Sequence, residues 1–286
     1  MNKLLSALLL CSLIMTSCAQ KSDYVVTIKT SYGDMVAILY DETPKHKKNF
    51  IRLAKEHYFD SLLFHRVIQG FMIQGGDPDS KKAQRGQPLG MGGPGYTIDA
   101  EFNAKYFHEK GSLSAARWDD QQNPTKASNG SQFYIVQGTT FSEDELRTDQ
   151  PKLNQALQKY FQNPANKPDY DSIVKFYQSN NMKGYQSFLI SLKPKIEKET
   201  GISLRKDISP ERLKAYTTIG GAPHLDDQYT VFGKVIKGLD VIDRIAEVPK
   251  GAGDRPQEDI RMIVTVEEMS KKKIEKLYGY TYPAKP

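Results

Sequence analysis

One run constrains this chain more than any other: Phe64-His65-Arg66-Val67-Ile68-Gln69-Gly70-Phe71-Met72-Ile73-Gln74-Gly75-Gly76-Asp77. Its spacing predicts two short strands around a turn at Gly70. Arg66 brings a fixed fork of five donors and no acceptor. Phe71 and Met72 are large and apolar, one rigid and one adaptable. Gln74 offers both a donor and an acceptor. Alternation along a strand sends neighbouring side chains to opposite faces, so Phe71 and Met72 need the turn to bring them to one site. On composition alone, an arginine on a strand is a surface charge or an ion-pair partner.

Two further blocks follow in order, Gly130-Ser131-Gln132-Phe133-Tyr134-Ile135 and Tyr229-Thr230-Val231-Phe232-Gly233-Lys234-Val235. Together the three blocks closely resemble the signature of the cyclophilins, which are prolyl cis-trans isomerases. The resemblance implies a mainly β fold: a closed eight-stranded antiparallel barrel capped by two helices, with the peptide groove on its outer face. It carries Arg66 and Gln74 over as the catalytic pair. Phe71, Met72, Ala116, Arg117, Gln132, Tyr134, His224, Leu225 and Tyr229 are carried over as substrate-binding positions. Four of these depart from the best-known eukaryotic members. Tyr134 stands for a phenylalanine, Arg117 for an asparagine, His224 for a tryptophan and Tyr229 for a histidine. The last two put sensitivity to cyclosporin-type inhibitors in doubt. Phe133 is read as core.

The chemistry that follows needs no nucleophile, metal or cofactor. Rotation about an X-Pro bond faces a barrier of ~20 kcal/mol set by amide resonance. A catalyst must favour the twisted bond over the planar one. Twisting returns a basic lone pair to the prolyl nitrogen, and a guanidinium donor aimed there acts mainly in the transition state. Phe71, Met72, Tyr134 and Leu225 would hold the proline ring, while Gln74 and the backbone at Ala116-Arg117 would hold the preceding peptide. His65 has no second histidine or carboxylate at metal-ligand spacing, so a structural hydrogen bond is expected of it.

Hydrophobic residues make up 38% of the 286 and charged residues 26%, the mix of a soluble globular chain. The formal charge of +6 comes without a basic run interleaved with aromatics, which argues against a nucleic-acid partner. Both cysteines lie within the first eighteen residues. Met1-Asn2-Lys3 followed by the apolar Leu4 to Met15 reads as a signal peptide, too short for a transmembrane helix. It ends in Met15-Thr16-Ser17-Cys18, similar to a bacterial lipoprotein box except that Met15 stands where leucine is commonest. Cys18 would then be lipidated, tethering a monomer to a bacterial membrane at the cell envelope, facing the periplasm. The alternative is an ordinary secretory signal cut nearby. Under the lipoprotein reading a disulfide framework and thiol catalysis are excluded from the mature domain.

The organisation expected is a signal peptide over 1–17, a tether over 18–23, barrel over 24–138, a helical insertion over 139–218, barrel again over 219–270 and a tail over 271–286. Tyr24-Ile28 and Met35-Tyr40 flank a turn and predict a hairpin. Thr43-Pro44 predicts an N-cap, with Phe50, Leu53, Ala54 and His57 on one helix face. The insertion replaces a short loop by about 80 residues. It carries a capping box at Ser142 and Glu145 and helical apolar spacing at Leu153, Leu157, Tyr160 and Phe161, then at Ile173, Phe176 and Tyr177, then at Tyr185, Phe188, Leu189 and Leu192. Its apolar faces pack together, or else one stays open for client proteins. Ile260, Met262, Val264 and Val266 predict a closing strand, and Lys271 to Pro286 a fraying helix with a loose tail. The function expected is isomerisation of X-Pro bonds in unfolded or flexible exported proteins; the alternative is a proline-peptide-binding chaperone or docking module with little isomerase activity.

Overall fold

The structure, a computed structural model, describes residues 22–283; the expected signal peptide and Cys18 lie outside them. The described residues open with the predicted hairpin, β1 (Ser22–Thr30) and β2 (Gly33–Leu39). α1 (Pro44–Lys55) precedes β3 (Phe64–Ile68) and β4 (Met72–Gly75). β5 (Thr97–Ile98), β6 (Ser112–Ala115), β7 (Ser128–Asn129) and β8 (Phe133–Val136) lead to the inserted helices. These are α2 (Glu143–Leu146), α3 (Gln150–Tyr160), α4 (Lys167–Gln178), α5 (Met182–Thr200) and α6 (Pro210–Thr218). β9 (Val231–Lys237), α7 (Leu239–Ala246), β10 (Ile263–Ser270) and α8 (Lys271–Tyr278) complete the order.

Eight strands form one antiparallel sheet in the order β10-β1-β2-β9-β6-β8-β4-β3. The sheet curls until its edges meet through a short seam rather than a full ladder. Phe64 N–H donates to the Ile260 carbonyl at 2.9 Å, and Met262 N–H donates to the Leu62 carbonyl at 2.8 Å. Side-chain alternation then divides the strands into an inner and an outer face. Val67, Ile73, Leu113, Phe133 and Ile135 point into a core shared with Phe50, Leu53 and Ala54 of α1 and with Val241, Ile242 and Ile245 of α7. Those are the two capping helices. Phe133 is core, as read from the sequence, with Phe50, Phe59 and Phe64 packed edge-on against it.

Three local expectations are corrected. Thr43 makes no side-chain cap; its hydroxyl donates to the Tyr40 carbonyl, and α1 is capped from afar by Glu101, which accepts from the backbone N–H groups of Lys45 and His46 at 3.0 Å each. A carboxylate serves two orphan donors and meets the positive end of the helix, which a hydroxyl cannot do as fully. His57 lies beyond the helix end with a left-handed backbone, exposed and beside Asp60. The tail is docked: Ser270 caps α8, Ile274 is buried with Val25, Val36 and Ile38, and the Tyr282 hydroxyl donates to Asp23 at 3.1 Å.

The insertion folds on its own small core. Leu153, Ala156 and Tyr160 of α3 pack against Leu192 and Ile196 of α5 and against Leu204. The Ser142–Glu145 capping box forms, although the helix that it starts is a single turn. α4 buries no residue completely, and Tyr177, at 69% exposure, faces solvent rather than continuing an apolar stripe.

Candidate functional site

The outer face of β3, β4 and β8 gathers the residues singled out in the sequence. Arg66 pairs across the ladder with Gln74, and Gln74 with Tyr134, so the three form one row. Two residues along, Ile68, Met72 and Val136 form the next row on the same face. Gly70, in the left-handed conformation at φ 75°, turns the chain so that Phe71 joins Met72. The result is an apolar cluster of Met72, Tyr134, Val136, Ala222 and Leu225, edged by Ile68, Phe71, Ala116 and Tyr229 and read below as the slot for a proline ring. His224 leans on the Phe71 ring at 5.2 Å, and Tyr229 meets Tyr134 edge-on at 6.1 Å.

Arg66 stands at the end of an oriented chain of amides. Both hydrogens of the Gln132 amide are taken, by the carbonyls of Gly90 at 3.0 Å and Gly92 at 2.7 Å. The Gln132 oxygen must therefore accept, and it does so from the Gln74 amide nitrogen at 3.0 Å. That leaves the Gln74 oxygen turned to the Arg66 guanidinium, 3.4 Å away. The Arg66 side chain remains 43% exposed; its contact with Asp254, at 3.9 Å between two half-open groups, is too long and too wet to bind it firmly. Most of its five donors are thus open to a ligand.

The loop that anchors this chain is held by buried Asp77, which accepts from the backbone N–H groups of Gly90 and Asp79. Asn129 adds a hydrogen bond to the Gly92 carbonyl and accepts from the N–H groups of Ser131 and Gln132. Neither residue was singled out from the sequence; the Gly75-Gly76-Asp77 run was the available signal for the first.

Arg117 serves differently from Arg66. Its side chain is only 4% exposed and is consumed by the carbonyls of Gln228 and Trp118, by Asp120 at 2.6 Å and by the face of Tyr229 at 4.3 Å. It braces the slot wall. Ala116 spends its N–H on the Gln132 carbonyl and its carbonyl on the Asn129 N–H. With its N–H and carbonyl engaged inside the fold, Ala116 does not offer the free backbone expected of it.

His65 fails its expectation. It is 3% exposed, neither ring nitrogen has a hydrogen-bond partner among the described residues, and burial lowers its pKa to about 4. It lies beneath Gly90 as a neutral packing group. Among the described residues no cluster of ligating side chains could hold a metal ion.

Sequence reasoning missed the buried group behind the slot. The Tyr134 hydroxyl lies 2.9 Å from Nε2 of His108, whose Nδ1 lies 3.0 Å from Asp226. His108 and Asp226 are 118 positions apart and match no motif, so only the fold joins them.

Comparison with known proteins identifies the family. The family described as cyclophilin type peptidyl-prolyl cis-trans isomerase/CLD matches residues 25–160 and 177–267, running through much of the inserted segment. A protein of Staphylococcus haemolyticus named as a peptidyl-prolyl cis-trans isomerase is 30% identical over 245 residues, covering 84% of this chain and 89% of that one. A protein of Streptococcus pyogenes named as a bifunctional phosphatase/peptidyl-prolyl cis-trans isomerase is 33% identical over 248 residues, and the match covers 38% of its length. The crystal structure of a Cryptosporidium parvum cyclophilin type isomerase superposes with a TM-score of 0.50 over 86% of this chain and 98% of that one, at 20% identity, a likeness of fold.

Proposed function

The chain belongs to the cyclophilin-type peptidyl-prolyl cis-trans isomerases, and we propose that Arg66 is the group that lowers the rotational barrier. A peptide lying along the outer face would place its proline ring in the slot of Phe71, Met72, Tyr134 and Leu225. Held there, one end of the X-Pro bond is still while the other turns. As the bond leaves planarity, the nitrogen gains a lone pair that the Arg66 guanidinium can meet with a hydrogen bond. The planar amide presents no such acceptor, so the interaction belongs to the transition state and accelerates the step. Gln74 aims the guanidinium, and the Gln132 amide fixes Gln74. No proton leaves Arg66; the guanidinium acts only as a hydrogen-bond donor. His224 and Tyr229 border the slot without reaching the turning bond.

The observation that carries this reading is the half-exposed Arg66 held by oriented Gln74 beside an apolar slot. The test is isomerisation of a short X-Pro peptide by the chain and by its Arg66→Ala variant. A fall of about 10²–10³ in kcat with peptide binding retained is expected for loss of a transition-state donor. Equal rates in both would remove Arg66 from the mechanism.

The substrates proposed are X-Pro segments of unfolded or flexible exported proteins, acted on by a monomer tethered to a bacterial membrane through Cys18. The support is the Met15-Thr16-Ser17-Cys18 run after a short apolar segment. Among the described residues no helix is long and apolar enough to cross a membrane. Metabolic labelling with a radioactive fatty acid should mark the full chain and not its Cys18→Ser variant; labelling of both would end the anchor reading.

A further inference from the structure

The proline slot and the inserted helices are joined by a buried chain of hydrogen bonds. Asp226 takes the backbone N–H of His108 at 2.9 Å and its Nδ1 at 3.0 Å on one carboxylate oxygen. With Nδ1 donating, Nε2 is the bare nitrogen and accepts from the Tyr134 hydroxyl at 2.9 Å. The other Asp226 oxygen accepts from the Tyr216 hydroxyl at 2.7 Å, with Arg212 3.6 Å away. Tyr216 and Arg212 both lie on α6, the last helix of the insertion. Tyr134 thus shows its ring to the slot while its hydroxyl is tied, through His108 and Asp226, to a helix outside the barrel.

The roots of the insertion are built to hold α6 in place. Thr139 and Gly221 exchange backbone hydrogen bonds of 2.9 and 3.2 Å, the Phe141 N–H donates to the Tyr216 carbonyl at 3.0 Å, and the Ala222 N–H donates to the His108 carbonyl at 2.8 Å. Gly221 fits because a side chain there would strike both the Tyr216 ring and the His108 backbone. Tyr216 itself is fully buried, with Phe107 edge-on at 5.6 Å. Arg212, gripping Asp227 at 2.8 and 2.9 Å, pins the same helix from the solvent side.

We propose that α6 sets the geometry of the proline slot through the chain Tyr216–Asp226–His108–Tyr134, which makes Tyr216 and His108 positioning residues for the isomerisation. Deletion of the insertion would accordingly disturb catalysis as well as any separate duty of the helices. The inference rests on Tyr134 lining the proline slot. Because the slot grips the ring before and during rotation alike, a loosened Tyr134 weakens binding in both states; KM rises and kcat stays.

The experiment measures kcat and KM for an Ala-Ala-Pro-Ala peptide with the full chain and five variants: Tyr216→Phe, Tyr134→Phe, the double change, Asp227→Asn and Met72→Ala. Tyr216→Phe keeps the ring and removes one hydroxyl, and is expected to raise KM roughly two- to tenfold, the worth of one net hydrogen bond, at constant kcat. In the Tyr134→Phe background the same change is expected to add nothing, because the chain is already cut. Asp227→Asn loosens the outer grip on α6 while leaving the chain's own hydrogen bonds in place, Arg212 standing 3.6 Å from Asp226, and should raise KM less than Tyr216→Phe does. Additive effects in the double variant, or an equal rise from Asp227→Asn, would overturn the proposal and leave only general loosening of the helix. If Met72→Ala raises KM while Tyr216→Phe does not, the coupling is wrong and the slot stands. If neither raises it, the slot assignment falls and the coupling with it.

Discussion

The barrel and the insertion are built from the same kinds of residue, yet they are held in opposite ways. The barrel core is continuous: strands distant in sequence and two helices close on one aromatic-rich centre, where Phe133 touches partners from several elements. The insertion is a local affair of α3, α5 and one connecting residue, with α4 lying on it and burying nothing completely. A unit made of long-range pairings responds to damage as a whole, whereas one made of neighbouring helices can open alone. Where the two meet, a buried polar chain runs beside the packed rings of Tyr216 and Phe107, and its hydrogen bonds depend on geometry more than on area.

Core truncations separate the two regions most sharply. Phe133→Ala should destabilise the whole chain by about 3–5 kcal/mol, seen as one earlier unfolding transition in denaturant. Ile196→Ala should cost about 2–5 kcal/mol, with hydrogen exchange rising first in α3 and α5 while the barrel amides stay protected; simultaneous exposure of both would mean a single cooperative unit.

Acid provides the next contrast, since the barrel alone holds the unpartnered His65. Its native pKa of about 4 lies below the unfolded value near 6.5, so below pH 6.5 the unfolded chain binds a proton that the native chain refuses. Stability is unaffected above that pH and falls by roughly 2 kcal/mol between pH 6.5 and 5. Chemical denaturation at both pH values should show the loss, and His65→Gln should remove it. A smaller effect is expected of Glu101→Gln, about 1 kcal/mol through the weakened cap on α1. Smallest of all, Tyr177→Ser on exposed α4 should change stability by less than about 0.5 kcal/mol; a larger loss would show that α4 is held more firmly than its burial indicates.

The site was more legible in the sequence than its surroundings. Arg66, Phe71, Met72 and Gln74 sit on one short hairpin, so two-residue alternation and one glycine turn place them with little help. Tyr134 and Gln132 were reachable because they resemble a family block, although their pairing with Gln74 is a matter of strand order. Arg117 shows the limit: the family resemblance marked it as substrate-binding through its backbone, and only the fold shows its guanidinium spent on two carbonyls, Asp120 and the Tyr229 ring. Thr43 misled because local helix signals took no account of Glu101, which arrives from a loop over fifty residues away; His57 misled because the helix ends at Lys55 and the chain turns left-handed at His57. The tail misled in the same way, since Tyr282 finds Asp23 and Lys271 only after β1 and β10 have paired.

What the sequence determined by itself is what short range can encode: the hairpins, the helix start at Ser142, the alternation that divides an inner from an outer face, and the residues of the isomerase signature. What only the tertiary structure decided is which distant polar groups share a buried space. His108, Asp226 and Tyr216 have no spacing that marks them, because a hydrogen bond needs atoms within about 3 Å and the chain supplies that proximity only after the barrel closes and the insertion is fastened at its roots.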